Sequence, residues 1–439
     1  MKAKLVPVYF KPKMDEDFKT QIKNLKFLLS EVADVMEPVL LGEKISESDA
    51  VVFPVLSGDV YKKVNELKKI DVPFIVITTE FGTIDMWDWE IVSYLKSKSF
   101  KVFAPYNLEL AKKICKSLAL KRELKSTKFL VFQDKPGISG LEGEIFKRFF
   151  WWEDEFENIL KCKFRINLIK KSFKELGIAA KKIPDEKVVE VIKKWNIKTE
   201  CISDNALKSA IKIYIKVKME IEKDSNIKGV GINCLNESFY SDTTHCLAWN
   251  MLYKEKKIIW ACEADTLSLL TSLIIDKSLN APFMMSNIYP FLIGSTALKH
   301  EGIDKFPEVN DPENYALVVH CGYFGVVPES FCTEWTLRPK VLEMVDKNAT
   351  AIDARMPKGD ITILKLDHTL TKLMVVEGAI VDYVQYPGSD CRNGALIRVE
   401  NGYKLMKAFY SHHNCIISGH RLAEIEILSE VFDFELTGI

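Results

Sequence analysis

The feature that most constrains the fold is an alternation of short apolar runs with longer amphipathic segments over the first 125 residues. Four runs of strand length occur there: "KLVPVYF", "DAVVFPVL", "VPFIVITT" and "FKVFAP". The segments between them have helical periodicity, as in "DEDFKTQIKNLKFLLSEVADVM", where five apolar residues share one face: Phe18, Ile22, Leu25, Leu28 and Leu29. Because parallel strands need helical crossovers and are buried on both faces, this alternation predicts a doubly wound parallel sheet.

A second series of alternating elements follows a basic, polar stretch, "KRELKSTK", near residue 125. The runs "FLVFQD", "IKGVGINCL" and "KIIWAC" are strand-like, and helices are predicted around residues 153–176 and 185–226 and within "SDTTHCLAWNMLY" and "ADTLSLLTSLIIDKSL". We therefore predict an N-terminal α/β, Rossmann-like domain over residues 1–125 and a second α/β domain over residues 126–280.

The hydrophobic period changes towards two after residue 348. The runs "GDITILKL", "KLMVVEGAIVDYV" and "GALIRVE" predict antiparallel hairpins, with one turn at Glu377-Gly378. A helix, the strand "NCIIS" and another helix are predicted to end the chain. Residues 281–439 are therefore expected to form a C-terminal β-rich domain.

Charge and cysteine content exclude several classes of protein. With 61 basic and 61 acidic side chains, the chain has no net field that would attract nucleic acid or an anionic membrane. The N-terminus is not of signal-peptide type, and no apolar stretch reaches the roughly 20 residues of a membrane span. Ten cysteines are scattered singly without a CxxC pair, which favours reduced thiols. We expect a cytoplasmic protein that binds neither nucleic acid nor membrane.

Polar residues of metal-ligating type lie at or beside the ends of three strand-like runs. Glu263 follows "KIIWAC", His320 follows "YALVV", and His412 and His413 precede "NCIIS". Each alone has an ordinary explanation, since a helix start favours an acidic residue and a strand-end histidine often makes a structural hydrogen bond. Ligands of open α/β sheets bind at the carboxyl ends of strands. Together the residues make a carboxylate–imidazole set suited to Mn²⁺ or another divalent metal.

These motifs also carry a resemblance to a known family. The segment "NCLNESFYSDTTHCLAWNMLYKEKKIIWACEADTLSLLTSLI", with its Cys-Glu-x-Asp turn, the later His-Cys-Gly and the His-His pair, resembles the L-fucose isomerase/L-arabinose isomerase superfamily. The resemblance covers roughly residues 228 to 425, and the preceding part agrees only in architecture. It implies two α/β domains followed by a domain with a β-barrel, a sugar substrate, aldose–ketose isomerisation on a divalent metal, usually Mn²⁺, and assembly into trimers or hexamers.

The resemblance also assigns residues. It implies that Glu263 is the metal-proximal acid/base, that His413 is a metal ligand, and that His320 is a ligand or another site residue. The superfamily's second carboxylate would fall at Asn287, 24 residues after Glu263. Asparagine offers a neutral carbonyl oxygen and cannot shuttle a proton. We therefore count Asn287 in the catalytic and metal set.

Two aspartates are conceivable substitutes for the missing acid. Asp265 lies two residues after Glu263, and Asp311 precedes the strand that ends at His320. We include Asp265 among the catalytic candidates, against the simpler explanation that it is a first-turn charge on the helix dipole.

Two sets of aromatic side chains are candidates for surfaces on which a sugar stacks. The run "FKRFFWWEDEFE" contains four consecutive aromatic residues, and Trp87 and Trp89 follow the third predicted strand. Packing in a core or an oligomer interface is the simpler explanation of the run, and packing against the sheet is the simpler explanation of the two tryptophans.

Three hypotheses for function follow. The first is a metal-dependent sugar isomerase that transfers a proton between C1 and C2 through an enediol. The second, motivated by Asn287, is a sugar-binding or regulatory relative with a degenerate metal site. The third is an enzyme that uses Glu263 and the histidines for a different reaction on a sugar derivative.

Overall fold

A computed structural model describes most of the chain, and the described residues are 1–134, 149–234, 237–290, 307–320, 332–339, 347–384 and 394–438. They divide into two compact units. The first unit contains Met1–Leu124, Lys277–Leu279 and Ala423–Asp433. The second contains the other described residues from Lys125 onwards. The division into three domains stays a prediction.

The first unit is built on a parallel sheet. Its strands are β1 (Ala3–Tyr9), β2 (Ala33–Val35), β3 (Val39–Leu40), β4 (Ala50–Phe53), β5 (Phe74–Val76) and β6 (Val102–Phe103). They pair in the order β2-β1-β4-β5-β6, with β3 also beside β1. The helices are α1 (Glu16–Leu28), α2 (Val64–Leu67), α3 (Trp89–Ser97) and α4 (Leu108–Leu124). The four predicted runs form β1, β4, β5 and β6.

The strand β2 was not predicted, because it lies inside the segment to which we assigned helical periodicity. The helix α1 ends at Leu28, and the chain returns to the sheet at Ala33. Its register, with Ala33 opposite Ala3, places three residues at the sheet edge. So short a strand leaves no periodic signal of its own.

The second unit begins with another parallel sheet. Its strands are β7 (Lys128–Phe132), β8 (Asn167–Lys171), β9 (Ile227–Ile232) and β10 (Ile259–Cys262), in the order β10-β9-β7-β8. The helices are α5 (Asp154–Phe164), α6 (Phe173–Lys181), α7 (Asp185–Lys194), α8 (Asp204–Ile221), α9 (Cys246–Lys256) and α10 (Thr266–Leu279), of which Lys277–Leu279 are assigned to the first unit. The prediction of one helical segment over 153–176 is wrong, because β8 interrupts it. As an edge strand without a fully buried residue, β8 lacks an apolar run.

The C-terminal region contains a closed antiparallel barrel. The remaining strands are β11 (Phe283–Pro290), β12 (Tyr315–Val319), β13 (Glu334–Pro339), β14 (Thr350–Arg355), β15 (Gly359–Leu366), β16 (Lys372–Val384), β17 (Gly394–Val399), β18 (His413–Ser418) and β19 (Glu435–Thr437). The six barrel strands run β15-β18-β11-β12-β17-β16 and return to β15. The helices α11 (Gly402–Ala408) and α12 (Leu422–Phe432) flank β18 in sequence. The mixed α/β class with a β-rich, barrel-containing C-terminal region is confirmed.

The predicted turn at Glu377-Gly378 is wrong, because β16 runs straight through it. Gly378 lies opposite Ile361 on one side and Val399 on the other. A Cβ atom there would meet the carbonyl oxygen of Arg398 at 2.7 Å, so the glycine permits a close approach of strands. The real turn lies at 367–371.

The candidate site residues all lie in the second unit, within or directly beside its strands. The strand β10 is fully buried, and β11 and β18 lie side by side in the barrel. Among the described residues, no helix combines the length and the apolarity that crossing a membrane requires.

Candidate metal centre

The turn after β10 holds Glu263 in an unusual backbone conformation. Glu263 has φ 54° and Ala264 has φ 51°, so two consecutive non-glycine residues are left-handed. Such residues are uncommon and strained, and they persist where surrounding contacts fix them. The Ala264 N–H donates to the carbonyl of Ile232 at 3.0 Å, and the Asp265 N–H donates to the carbonyl of Cys262 at 3.0 Å. These bonds fasten the turn to β9 and β10.

Two tryptophans clamp the same turn. The indole N–H groups of Trp151 and Trp152 both donate to the carbonyl oxygen of Glu263, at 3.1 Å and 2.8 Å. Both rings are buried, so packing describes them better than sugar stacking does. Gly231 on β9 completes the fit, because a Cβ atom there would lie 3.0 Å from the Ala264 Cα. The aromatic run was recognisable in the sequence, but its hydrogen bonds to the turn were not.

Asp265 is the N-cap of α10 and the centre of a buried polar network. Its Oδ1 accepts from the Ser268 N–H at 2.8 Å. Its Oδ2 accepts from Ser268 Oγ at 2.7 Å, from His413 Nδ1 at 2.9 Å and from Lys365 Nζ at 3.3 Å. Burial raises the pKa of Asp265, but Lys365 and His413 outweigh it and hold that pKa below its usual range.

Lys365 is a buried partner of Asp265 that the sequence did not reveal. Its side chain is fully buried, and Nζ also donates to Ser268 Oγ at 2.6 Å. Burial lowers the pKa of Lys365, whereas the neighbouring Asp265 raises it. A lysine near the end of the apolar run "GDITILKL" was the available signal, but its partner lies 100 residues away.

The ring of His413 is oriented by Asp265. Because an ionised carboxylate only accepts hydrogen bonds, Nδ1 carries the proton and a neutral ring has its lone pair on Nε2. The side chain is 1% exposed, and Nε2 makes no hydrogen bond to the described residues. Nε2 lies 3.8 Å from Glu263 Oε1. Burial, followed by the charge of His412, lowers the pKa of His413 to about 4, so the ring is neutral near pH 7.

His412 completes a group of three candidate ligands. Its Nε2 lies 3.3 Å from Glu263 Oε2, and its ring centroid lies 3.9 Å from that of His413. Glu263, His412 and His413 each offer one ligand atom, and these three atoms all lie within 4.8 Å of one another. Donors about 2.1 Å from one ion, at tetrahedral or octahedral angles, lie about 3.0–3.4 Å apart. The three side chains therefore fit a divalent metal after small rotations.

Asn287 lies beside this group, as the resemblance implied. It is opposite His413 on β18 and opposite Val319 on β12. Its Nδ2 donates to the Tyr289 hydroxyl at 3.4 Å, whereas its buried Oδ1 accepts no hydrogen bond from the described residues. A carbonyl oxygen is thus available next to the histidines. Coordination by Asn287 stays a prediction.

His320 lies near the group but faces another residue. Its ring centroid is 5.8 Å from that of His413, and its Nε2 is 2.9 Å from Cys262 Sγ. Its Nδ1 is buried and makes no hydrogen bond within the described part of the chain. Its role as a ligand stays a prediction.

No protein-family model and no curated protein matches this sequence. The superfamily resemblance therefore stays a prediction, supported by three motifs. The structure brings residues of all three together: Glu263 from the Cys-Glu-x-Asp turn, His320 from the second motif, and His412 with His413 from the third.

Other candidates lie elsewhere or have other partners. Asp311 precedes β12, a strand of five residues, or about 17 Å, that separates it from His320. It accepts a hydrogen bond from Arg398 Nη2 at 3.0 Å. In the first unit, Trp87 is 74% exposed, so the prediction that it packs against the sheet is wrong. Contact of Trp87 or Trp89 with a substrate stays a prediction.

Proposed function

We propose that the protein is a metal-dependent aldose–ketose isomerase of the L-fucose isomerase/L-arabinose isomerase type, acting on a small sugar in the cytoplasm. The observation that carries this proposal is the convergence of Glu263, His412 and His413 at the carboxyl end of β10. The proposal includes Mn²⁺ or another divalent ion, two doubly wound α/β domains, and assembly into trimers or hexamers.

Aldose–ketose isomerisation requires a group that accepts a proton, placed beside a positive charge that stabilises the enediolate. A bound divalent ion would supply the charge that stabilises the enediolate oxygens of the sugar. Glu263 moves the proton between C1 and C2. Hydrogen bonds from Trp151 and Trp152 fix the turn that holds its carboxylate beside the histidines. The Asp265–Lys365 pair keeps the lone pair of His413 directed towards Glu263.

Asn287 takes a different part in this proposal. Its side chain lies next to His413 and presents an acceptor oxygen, so it binds a sugar hydroxyl without exchanging protons. Glu263 therefore carries the proton transfer without a second carboxylate at that position.

The test is an isomerase screen in D₂O. The Mn²⁺-loaded protein is incubated with pentose and hexose aldoses, and ketose formation and deuterium incorporation at C1 or C2 are followed by NMR. We expect ketose from at least one aldose, and loss of activity in Glu263→Gln. The matched control is Glu435→Gln, at an exposed residue. Absence of ketose from every aldose, with metal bound and the fold intact, contradicts the proposal.

A second candidate function is sugar binding or regulation without isomerisation, and the neutral Asn287 favours it. In that case calorimetry would detect binding of an aldose, but no ketose would form. Asn287→Asp separates the candidates further. If this substitution creates or greatly increases isomerase activity, the native site serves another task, including a different reaction on a sugar derivative.

A further inference from the structure

We propose that the centre is a two-histidine, one-carboxylate site in which His412 is a direct ligand, selecting a late first-row ion such as Co²⁺, Ni²⁺ or Zn²⁺ over Mn²⁺. This inference rests on the proposed function in one respect, that the site holds a metal. It goes beyond the superfamily resemblance, which implies His413 alone from the histidine pair and Mn²⁺ as the usual ion.

The first step is the preparation of His413 for binding. A fully buried imidazole nitrogen without a hydrogen bond is costly unless something occupies the space before it. His413 Nε2 is such an atom within the described part of the chain, and Asp265 fixes the ring from the opposite nitrogen. This is the arrangement by which a second carboxylate orients a metal-binding histidine.

The second step concerns His412. It immediately precedes β18, so the alternation of strand side chains does not force it away from His413. Its Nε2 approaches the second oxygen of Glu263, whereas His413 approaches the first. The two imidazoles and the carboxylate thus surround one space. The separation of 3.3 Å matches two donors around one ion, and the separation of 3.8 Å comes within that range after a small side-chain rotation.

The third step is the balance of charge and donor type. The charges of Asp265 and Lys365 cancel, and Asn287 is neutral, so among the described residues at the centre Glu263 is the candidate ligand that carries negative charge. Mn²⁺ and Mg²⁺ favour carboxylate and carbonyl oxygens, whereas imidazole suits zinc, nickel, iron and copper. A site with two nitrogens and one carboxylate therefore gains selectivity through His412.

The experiment compares Co²⁺ and Mn²⁺ affinities by calorimetry in the full-length protein. Nearly any site binds Co²⁺ more tightly than Mn²⁺, so the wild-type ratio alone decides nothing. The informative variant is His412→Asp, which exchanges imidazole for carboxylate. We expect the ratio of Co²⁺ to Mn²⁺ association constants to fall at least about tenfold. The matched control, His420→Asp, alters a half-exposed histidine that contacts Gly378 and should leave the ratio unchanged.

A second variant and a spectrum guard against misfolding. His412→Gln should weaken Co²⁺ binding by at least about tenfold, as loss of a direct ligand exceeds loss of an orienting partner. The visible absorption of the Co²⁺-loaded wild type should change in both His412 variants. An unchanged affinity ratio and spectrum, or no binding of either ion by the wild type, overturns the inference.

The outcomes separate this inference from the proposed function. If metal selectivity depends on His412 and no aldose is converted, the isomerase proposal fails and the ligand assignment stands. If aldoses are converted and His412→Asp leaves selectivity unchanged, the ligand assignment fails and the isomerase proposal stands.

Discussion

Two buried carboxylates in the second unit, Glu220 and Asp265, both lie beside lysines, but their hydrogen-bond networks lead to different groups. Glu220 lies at the end of α8 and is 6% exposed, and Asp265 begins α10 and is fully buried. Both accept hydrogen bonds from lysine. Glu220 has three such partners, which are Lys171, Lys216 and Lys223.

The two networks differ in what the hydrogen-bond partners of each carboxylate contact next. The lysines around Glu220 extend to the surface, with side chains 21% to 62% exposed, so the network ends in solvent. Asp265 instead shares its oxygen between a fully buried Lys365 and His413, whose other nitrogen faces Glu263. The contacts of Glu220 therefore end at solvent-exposed lysines, whereas those of Asp265 continue through His413 to the candidate ligand Glu263.

The largest expected effect comes from Lys365→Met, which leaves Asp265 charged and buried without its cation. Removing one partner of a buried pair costs about 3–5 kcal/mol of unfolding free energy. Urea unfolding measures this loss. The double variant Lys365→Met/Asp265→Asn should recover part of it, since the uncompensated charge is then gone. A loss below about 1 kcal/mol in Lys365→Met would show that the pair is not energetically coupled to the fold.

The next effect concerns metal affinity. Asp265→Asn removes the carboxylate that orients His413, so Co²⁺ affinity of the folded protein should fall about 10–100-fold. Glu220→Gln is the matched control, because it neutralises the other buried carboxylate and should leave the affinity unchanged. Equal affinities in the two variants would remove the functional distinction between the carboxylates. Calorimetry on protein verified by circular dichroism provides the measurement.

The smallest effect is a pH-dependent stability. Burial raises the pKa of Glu220, but hydrogen bonds from Lys171, Lys216 and Lys223 outweigh it and lower the pKa to about 2. Because the folded pKa is depressed, the stabilisation is complete above the unfolded value of 4.5 and is lost as pH falls towards 2. After allowance for screening around the exposed lysines, we expect about 1–2 kcal/mol at pH 7.

Glu220→Gln tests this expectation. Its free energy of unfolding should lie below that of the wild type at pH 7, and the two values should converge between pH 4.5 and pH 2. A difference that stays constant over this range would mean that the ionised form makes no special contribution. High salt should also reduce the difference, because the lysines are partly exposed.

The sequence predicted those parts of the fold that have local signals. The buried strands β9 and β10 and the helix α10 have apolar runs or helical periodicity, and Glu263 and His413 followed from their places beside such runs. The edge strands β2 and β8 have little apolar sequence, so they were missed. The glycine of Glu377-Gly378 was mistaken for a turn, because its role is a contact between strands.

The site could be predicted only in part for the same reason. Glu263 and the histidine pair were recognised as polar residues near strand ends. Lys365 and Asp265 are 100 residues apart in the sequence, so no local sequence pattern indicates their contact. The choice of His413 over His412 came from resemblance. The approach of His412 to Glu263 depends on the bend before β18, which no residue type in "SHHNC" specifies.

Closure of the barrel has a consequence for how such a site can change over time. In an open sheet, a strand can slip along its neighbour and carry its ligands to new partners. Here β18 and β11 belong to a closed ring of six strands, so a slip would have to be absorbed around the entire circumference. His413 and residue 287 are therefore permanent neighbours. A substitution at position 287 therefore changes the group beside His413 without changing the register of the strands.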